Sequence, residues 1–276
     1  RVSGILRTRS MCVTLDDLGA LPPEPVRDDD PQWLALLARR IGAAPAEPAS
    51  SLDKLYGPLC AVRHEGPFAI GHLAQSLDGC IATASGMSRW LSGDGDLLHT
   101  HRMRALCDAV VVGVDTVLND DPQLTVRRCA GHNPVRVVID PERRLDGSQR
   151  IFRDGAAATL VLAAADRVQT GDRLGQAEVM AVPRSECGLD PHEIRRLLAC
   201  RGYSWLFIEG GGNTVSRFLA AGALDRLQIT VAPVIIGSGR PGIRLPEVAD
   251  LRDSLRPRTR RFVLGEDIMI ECDFRA

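Results

Sequence analysis

Lysine is almost absent from this sequence of 276 residues: Lys54 is the only one beside a large number of arginines. A phosphate-binding P-loop requires a lysine, and pyridoxal phosphate chemistry requires a lysine that forms a Schiff base. Lys54 lies in a neighbourhood rich in proline and alanine. The sequence therefore excludes a P-loop protein and leaves pyridoxal chemistry only one unfavourable lysine.

Paired cysteines and long apolar runs are also missing. The eight cysteines contain no C-x-x-C pair, so neither a zinc ribbon nor a redox dithiol is predicted, and we expect no metal site. No apolar run approaches the length of a membrane span, and the start of the chain lacks the apolar core of a signal peptide. Reduced thiols in the cytoplasm, with no membrane association, are the resulting interpretation.

Positive and negative charges nearly balance, since the chain has 34 basic and 35 acidic residues. A nucleic-acid surface needs basic residues spread over one face with aromatic residues between them. The string Arg256, Arg258, Arg260 and Arg261 is instead typical of the solvent-facing side of a strand. We therefore expect no nucleic-acid partner, and 45% apolar residues predict a globular protein.

Residues 1–60 are predicted to form an N-terminal extension of linkers and one short helix. Asp30 caps this helix and Gly42 ends it. The apolar face comprises Trp33, Leu37 and Ile41. A helix that carries a tryptophan on its apolar face must pack on something, so we expect it to dock on the main domain, 61–276, or on a partner subunit.

Short apolar runs alternate with helical stretches from about residue 66 onward. The predicted strands are 68–76, 109–113, 135–140, 159–164, 178–182 and 204–209. Strands rich in β-branched residues and separated by helices indicate a parallel sheet buried on both faces. A helix over 191–201 is capped by Asp190 and stopped by Gly202. The last strands lack a helix between them, which predicts an antiparallel edge around Gly265.

Three consecutive glycines, Gly210 to Gly212, stand between a buried strand and a helix. The free amides at the start of a helix attract phosphate, and the absence of Cβ atoms lets a phosphate reach them. A tight turn would also explain the glycines. The pattern is not the Rossmann fingerprint, because Val215 stands where its third glycine would be.

A second polar segment follows buried strands, where open α/β sheets bind ligands. Taken singly, its members have structural explanations: Asp78 and Asp121 form turns, Trp90 packs in a core, and Arg104 is a charge at a helix end. Their order and spacing carry more information. The candidates for one shared cleft are Asp78, Ser88, Trp90, Arg104, Thr116, Asp120 and Arg127.

Six ordered motifs resemble one known family. They are S-L-D-G, S-G-x-S-x-W, R-A-L-x-D-A, T-V-L-x-D-D-P-x-L-T-V-R, P-V-R-V-V-I-D and E-G-G-G, within residues 66–274. They are similar to the reductase domain of bacterial riboflavin-biosynthesis deaminase/reductase proteins. The resemblance implies a three-layer dihydrofolate-reductase-like α/β fold, with a mostly parallel sheet, an antiparallel C-terminal edge and helices on both faces. It also implies a homodimer and reduction of the ribose of 5-amino-6-(5-phosphoribosylamino)uracil to a ribityl chain with NADPH.

The resemblance implies a role for each matching residue. The family residues that shape the pocket for the pyrimidine and sugar correspond to Ser88, Trp90, Thr116 and Asp120. The family arginines that bind the sugar phosphate correspond to Arg104 and Arg127. The turn that receives the cofactor pyrophosphate in the family corresponds to Gly210, Gly211 and Gly212, and Asn213 and Thr214 lie beside it. The glycines at 237–242 are expected to line the nicotinamide side or a dimer edge. Arg167, just after a strand, is a candidate for the 2′-phosphate of NADPH.

The expected chemistry needs little acid or base machinery, because the cofactor carries the hydride and the protein orients the reactants. An aminoglycoside opens to a Schiff base whose C1′ accepts the hydride. Asp120 and Glu209 are the candidates for proton transfer, with a pKa shifted by burial.

The chain departs from the family in several places. The deaminase signature H-x-E with P-C-x-x-C is missing, and Cys80 stands where a basic residue is usual. His99 and His101 lie two residues apart on different faces of a helix, and we expect them to face solvent. Two other functions stay open: reduction of a related heterocycle in a secondary pathway, and a binding protein without catalysis that senses a nucleotide or pyrimidine.

Overall fold

The computed structural model describes residues 30–43, 50–62, 66–185 and 188–275. The linkers predicted before Asp30 and at 44–49 lie outside these ranges, as do His64 and Glu65, whose adjacency counts against the deaminase signature. Within the described ranges, no helix is both long enough and apolar enough to cross a bilayer.

One ten-stranded sheet organises the described residues, in the order β13-β14-β11-β1-β10-β3-β4-β5-β7-β6. Its strands are β1 (Phe68–Ser76), β3 (Ala109–Gly113), β4 (Val135–Ile139), β5 (Thr159–Ala164), β6 (Arg173–Leu174), β7 (Ala177–Val182), β10 (Trp205–Ile208), β11 (Arg226–Ala232), β13 (Arg258–Leu264) and β14 (Asp267–Asp273). The strands from β11 to β7 in this order are all parallel. Strands β14 and β13 extend it antiparallel at one edge and β6 at the other.

Short strands and helices complete the elements. The small pairs are β2 (Cys80–Thr83) with β12 (Gly239–Pro241), and β8 (Arg184–Ser185) with β9 (Gly188–Leu189). The α-helices are α1 (Pro31–Arg40), α2 (Ser51–Val62), α3 (Asp94–Leu106), α4 (Val114–Asp120), α5 (Pro191–Cys200) and α6 (Gly212–Ala220).

Successive residues of the central strands belong to two different cores. Val110 of β3 lies in the core beneath α1 to α4, whereas its neighbour Val111 lies in the core beneath α5 and α6. Phe207 and Ile208 of β10 divide in the same way. Because side chains alternate between the faces of a strand, apolar runs of this kind require helices on both sides. The predicted three-layer fold with its antiparallel C-terminal edge is confirmed.

The N-terminal helices differ from the prediction. Trp33 is fully buried as expected, but Leu36 lies on the buried face and Ile41 is 76% exposed. Helix α2 was not predicted, because Gly57 and Pro58 interrupt its helical pattern. A Cβ at Gly57 would lie 2.5 Å from Asp53 Oδ1 and 2.7 Å from Arg39 Nη2, the two side chains that form an ion pair between α2 and α1. The expectation of one short helix before residue 61 is therefore wrong, while the domain boundary stays a prediction.

Two predicted local features are confirmed. The Asp190 side chain accepts a hydrogen bond from the amide of His192 at the start of α5, as the cap required. The hairpin of β13 and β14 turns at Gly265, whose φ of 72° lies in the left-handed region that glycine tolerates.

The parallel arrangement places three strand ends side by side. Strands β1, β10 and β3 are neighbours, so their carboxyl ends lie at one edge of the sheet. Helix α6 begins just beyond β10, and α4 follows β3 directly. The pair β2 and β12 forms a small ribbon near the end of β1. Functional residues that follow these strands are therefore brought together.

Candidate functional site

A cleft of about 510 Å³ opens at this edge of the sheet. Its lining includes the predicted residues Ser88, Thr116, Asp120, Glu209, Gly210, Gly211, Gly212 and Asn213. The predicted residues outside the lining are Asp78, Trp90, Arg104, Arg127, Arg167 and Thr214. A groove of about 620 Å³ on another surface lies between α2 and β13, away from these residues.

The three glycines have different structural reasons. Gly210 has a φ of 99°, which a side chain would strain, and a Cβ on Gly212 would lie 1.9 Å from the carbonyl oxygen of Gly242. At Gly211 the backbone is ordinary, with a φ of −65°, and a Cβ would contact only Thr116 Oγ1 at 3.6 Å. Contacts within the protein thus require glycine at 210 and 212 but leave Gly211 open toward the cleft.

The start of α6 offers amides to the cleft. Gly211 N–H donates to Thr116 Oγ1 at 3.1 Å, which holds the turn against α4. The first residues of α6, Gly212 and Asn213, line the cleft. The first N–H groups of an α-helix have no carbonyl acceptor within the helix, so they can bind a ligand. Thr214 lies behind the turn, because a Cβ added to Gly113 would be 2.4 Å from its Oγ1.

Arg104 and Glu209 form a bidentate ion pair. The Arg104 Nη2 and Nε atoms donate to the two Glu209 carboxylate oxygens at 2.7 and 3.0 Å. Arg104 Nη1 also donates to the carbonyl of Thr125 at 3.2 Å. Both side chains of the pair are largely buried, so the end of α3 is fixed to the end of β10. Arg104 thus contacts the wall of the cleft from behind Glu209.

Arg127 lies next to this pair in a cluster of positive charge. Its Nη1 donates to Thr125 Oγ1 at 2.6 Å, and the residue as a whole is exposed. Partial desolvation and the charges of Arg104, Arg128 and Arg150 lower its pKa. The three neighbouring arginines pair with carboxylates, Arg104 with Glu209, Arg128 with Asp94 and Arg150 with Asp121. Arg127 is the member of this cluster for which no ion pair is found among the described residues, and a guanidinium of this kind is suited to bind a phosphate.

Asp120 at the end of α4 is a cleft carboxylate with a perturbed pKa. Desolvation raises the pKa of Asp120, and the charge of Arg89 offsets part of this effect. A carboxyl group whose pKa is raised keeps a proton more readily near neutral pH, as a proton donor must. Thr116 and Asp120 lie on one helix four residues apart, and Glu209 faces the same cleft.

Trp90 does not pack in a core. Its side chain is 85% exposed and its φ of 69° lies in a region that non-glycine residues rarely adopt. The loop that carries it contributes Ser88, Leu91 and Ser92 to the cleft. The structural explanation by core packing is therefore wrong, and the predicted contact of Trp90 with a pyrimidine stays a prediction.

Arg167 is engaged in an ion-pair network on the surface. It lies 3.3 Å from Glu142 and 3.7 Å from Asp166, and Arg184 pairs with the same two carboxylates. Its position follows β5, three strands away from β10 in the sheet. The predicted role of Arg167 at a 2′-phosphate remains a prediction.

Asp78 and Cys80 stabilise the ribbon beside the cleft. The Asp78 carboxylate accepts hydrogen bonds from the amides of Ile236 and Gly237, and a hydrogen bond from Ser76 lowers its pKa to about 2. Cys80 is buried, with Sγ 3.5 Å from the carbonyl oxygen of Gly237. The structural explanation of Asp78 as a residue that forms a turn is therefore confirmed. Within the glycine-rich stretch 237–242, strand β12 (Gly239–Pro241) pairs with β2, and Arg240 and Pro241 line the cleft.

His99 and His101 are buried, contrary to the expectation that they face solvent. His99 Nδ1 contacts the Tyr56 hydroxyl at 2.8 Å, and its Nε2 contacts Gln228 Oε1 at 2.8 Å. His101 Nδ1 accepts the Arg127 N–H at 2.9 Å. Burial lowers the pKa of His99 to about 4, and burial with nearby arginine charges lowers that of His101 to about 3. Among the described residues, no three potential ligands are grouped as a metal ion requires.

His72 and Asp96 are cleft residues that the sequence analysis missed. His72 is the middle residue of β1, and Asp96 lies in the first turn of α3. They are 5% and 2% exposed, and both line the cleft. A polar residue within a buried strand was the available signal for His72. Asp96 gave no such signal, because an acidic residue in the first turn of a helix is common.

The residues present fit a nicotinamide dinucleotide. A Cβ-free position at Gly211 and the first amides of α6 face the cleft, as a pyrophosphate requires. Gly211, Gly212 and Asn213 are the residues that would hold this group. The cleft, the carboxylates of Asp120 and Glu209 and the nearby arginines together define an α/β domain with an enzyme-like active-site cleft.

Comparison with known proteins places the chain in a family. The RibD C-terminal domain family matches residues 67–259. Over 213 residues the chain is 36% identical to the 2,5-diamino-6-ribosylamino-4(3H)-pyrimidinone 5′-phosphate reductase of Methanothermobacter thermautotrophicus, covering 74% of this chain and 97% of that protein. The chain belongs to the RibD C-terminal domain family.

Longer relatives match over part of their length. The riboflavin biosynthesis protein RibD of Aquifex aeolicus is 32% identical over 215 residues, which cover 76% of this chain and 58% of that protein. A solved deaminase and 5-amino-6-(5-phosphoribosylamino)uracil reductase from Thermotoga maritima superposes with a TM-score of 0.66 at 27% identity, covering 80% of this chain and 62% of that one. The chain thus spans about three fifths of these longer proteins and shares the fold of the part that it matches.

Proposed function

We propose that this protein is an NADPH-dependent reductase of riboflavin biosynthesis, which converts the ribose of a phosphoribosylaminopyrimidine to a ribityl chain. The substrate is of the type 5-amino-6-(5-phosphoribosylamino)uracil. The observation that carries the proposal is the juxtaposition, in one cleft, of the open helix start at Gly211 to Asn213 with the carboxylates of Asp120 and Glu209. Membership of a family with named reductases supports it.

The residues divide the work of binding. The amides of Gly212 and Asn213 bind the cofactor pyrophosphate, because a helix start carries partial positive charge. The guanidinium of the exposed residue Arg127 binds the sugar phosphate. Arg104 holds Glu209 in place by two hydrogen bonds and adds its charge to the phosphate site. Bound NADPH supplies a hydride to C1′ of the substrate.

The carboxyl groups handle the protons of the reaction. Opening of the ribose ring of the glycosylamine breaks the C1′–O4′ bond, places a proton on O4′ and leaves a C1′=N double bond. Addition of hydride to C1′ then requires a proton on the nitrogen. Asp120, whose pKa desolvation raises, is the candidate donor, and Glu209 is the candidate for orienting the sugar. Their hydrogen bonds to bound substrate would hold the two reactants close together.

An activity assay tests this function. The purified protein is incubated with NADPH and the deaminated pathway intermediate, and the nicotinamide absorbance and the mass of the product are followed. We expect oxidation of NADPH matched by a product two hydrogens heavier. Tight binding of both ligands without any turnover, at high protein concentration, would contradict a reductase and favour a binding protein.

The cofactor preference and the assembly are further parts of the proposal. Arg167 is expected to contact the 2′-phosphate, so Arg167→Ala should weaken NADPH binding and leave NADH binding unchanged. Arg173→Ala, on the neighbouring exposed strand β6, is the matched control. A cytoplasmic homodimer formed through the antiparallel edge of β13 and β14 is proposed with it, and sedimentation equilibrium tests the dimer.

A further inference from the structure

The segment that carries Arg127 depends on side chains for its position. Residues 121–127 form neither helix nor strand, and within them Leu124 has a φ of 54°, which a residue with a side chain rarely adopts. Leu124 is nonetheless 2% exposed, so it is fixed in the core. Asn133 Oδ1 accepts the Val126 N–H at 2.7 Å. A strained backbone persists only where its surroundings determine it, so the contacts of this segment decide where Arg127 lies.

Two side chains of α3 hold the end of this segment. Arg104 Nη1 donates to the Thr125 carbonyl oxygen at 3.2 Å, and His101 Nδ1 accepts the Arg127 N–H at 2.9 Å. His101 and Arg104 lie three residues apart, on the same side of the helix. His101 is the one of the two that binds the backbone of Arg127 itself, and the proposed function leaves it without a role.

The protonation state of His101 follows from this hydrogen bond. The donor is a backbone N–H, so Nδ1 presents a lone pair and carries no proton. Burial of the ring, together with the charges of Arg104, Arg127 and Arg128, lowers the pKa of His101 to about 3. The ring is therefore neutral near pH 7 and carries its one proton on Nε2. A charged ring would have a hydrogen on both nitrogens and could not accept the N–H.

We infer that His101 is a positioning residue for phosphate binding: it accepts the Arg127 N–H and so fixes the backbone from which the Arg127 guanidinium reaches the sugar phosphate. This inference rests on the proposed function, in which Arg127 binds that phosphate. His101 acts through Arg127, because the histidine is 5% exposed and lies outside the lining of the cleft.

One turn of α3 thereby connects the phosphate site with the carboxylate of the cleft. Arg104 donates to both carboxylate oxygens of Glu209, and His101, on the same side of the helix, accepts from Arg127. Glu209 and Arg127 are therefore held relative to one rigid element, although 82 positions separate them in the sequence. A sugar phosphate bound at Arg127 then has its sugar directed to Glu209, as the proposed reaction requires.

Comparison of a phosphorylated and a dephosphorylated ligand tests the inference. The ribosylaminopyrimidine 5′-phosphate and the same compound without its phosphate are titrated into the protein by calorimetry, and KM and kcat are measured for both with NADPH. His101→Gln places its amide oxygen near the position of Nε2, away from the Arg127 N–H. We expect this variant to bind the 5′-phosphate about tenfold more weakly, with a higher KM and little change in kcat, and to bind the dephosphorylated compound as the parent protein does.

His101→Asn is the matched variant, because its amide oxygen takes the place of Nδ1 and can accept the same N–H. It should bind the 5′-phosphate within about threefold of the parent protein. Equal phosphate binding by folded His101→Asn and His101→Gln proteins would overturn the inference. His99→Gln changes a second buried histidine of α3, which contacts Tyr56 and Gln228, and should leave the ratio of the two affinities unchanged. A loss of this ratio in His99→Gln as large as in His101→Gln would also overturn the inference.

A spectroscopic measurement on the unmodified protein needs no substitution. With the ring nitrogens labelled, NMR at neutral pH should show His101 Nδ1 without a proton and Nε2 with one, and a proton on Nδ1 would contradict the inference. If the protein binds both compounds and reduces neither, the reductase function fails, and the affinities of the parent protein and its variants still decide the role of His101. Equal affinity of the parent protein for the two compounds would refute phosphate binding by Arg127 and the inference with it.

Discussion

Addition of one methyl group at Gly211 separates cofactor binding from folding. The backbone of Gly211 has an ordinary φ of −65°, and an added Cβ contacts only Thr116 Oγ1 at 3.6 Å. Gly211→Ala should therefore change the free energy of unfolding by less than about 1 kcal/mol. The methyl group points toward the cleft and keeps a pyrophosphate away from the amides of α6. Loss of one charge-assisted hydrogen bond weakens NADPH binding by about 1.5–3 kcal/mol, roughly 10- to 100-fold.

Gly212→Ala provides the contrast. There the Cβ would lie 1.9 Å from the carbonyl oxygen of Gly242, so the backbone must move. We expect this variant to lose about 1–3 kcal/mol of stability or more, as in other overpacked sites. Urea unfolding and calorimetric titration with NADPH measure the two properties in both variants. If folded Gly211→Ala binds NADPH within about twofold of the parent protein, the assignment of the pyrophosphate to this turn is refuted.

Three further predictions concern catalysis, pH and the core. Asp120→Asn and Glu209→Gln should each slow turnover and leave NADPH binding intact, and unchanged turnover in both would remove them from the mechanism. Burial lowers the pKa of His99 from 6.5 to about 4, so the unfolded state binds more protons than the folded state between these two pH values. The free energy of unfolding should therefore fall as the pH is lowered through that window. Urea unfolding at pH 7 and at pH 4 should differ by up to about 3 kcal/mol from this group. Arg136→Met should cost about 3–5 kcal/mol, because the fully buried guanidinium pairs with Asp154 and three backbone carbonyls.

Matched substitutions serve as controls for these predictions. His99→Gln should reduce the loss of stability on acidification, whereas His192→Gln on the exposed surface of α5 should not. Arg144→Met removes an exposed ion pair with Asp115 and should change stability by less than about 1 kcal/mol. A loss of stability in Arg136→Met no larger than that in Arg144→Met would contradict the structural role of the buried arginine.

The sheet could be predicted from the sequence because its strands carry their own signal. The run 109–113 is apolar at every position but its last, which only burial on both faces explains, and the structure places it in the middle of the sheet. Helix α2 could not be predicted in this way. Its glycine and proline oppose a helix locally, and packing against α1 overrides that preference.

The site was predictable where residues follow strands and unpredictable where a tertiary contact decides. Glu209 and the three glycines follow β10 directly, so the order of the chain places them at the cleft. The pairing of Arg104 with Glu209 joins residues 105 positions apart, and spacing gave no indication of it. The expectation that His99 faces solvent was wrong because its partners, Tyr56 and Gln228, come from elements distant in the sequence.

Transfer of an isotopic label tests the central claim most directly. NADPH carrying deuterium at the transferable C4 position of the nicotinamide is mixed with the protein and the ribosylaminopyrimidine 5′-phosphate, and the product is analysed by mass spectrometry and NMR. The account predicts one deuterium at C1′ of a ribityl product. Unlabelled C1′, or a substrate that stays unreduced with both ligands bound, would contradict it.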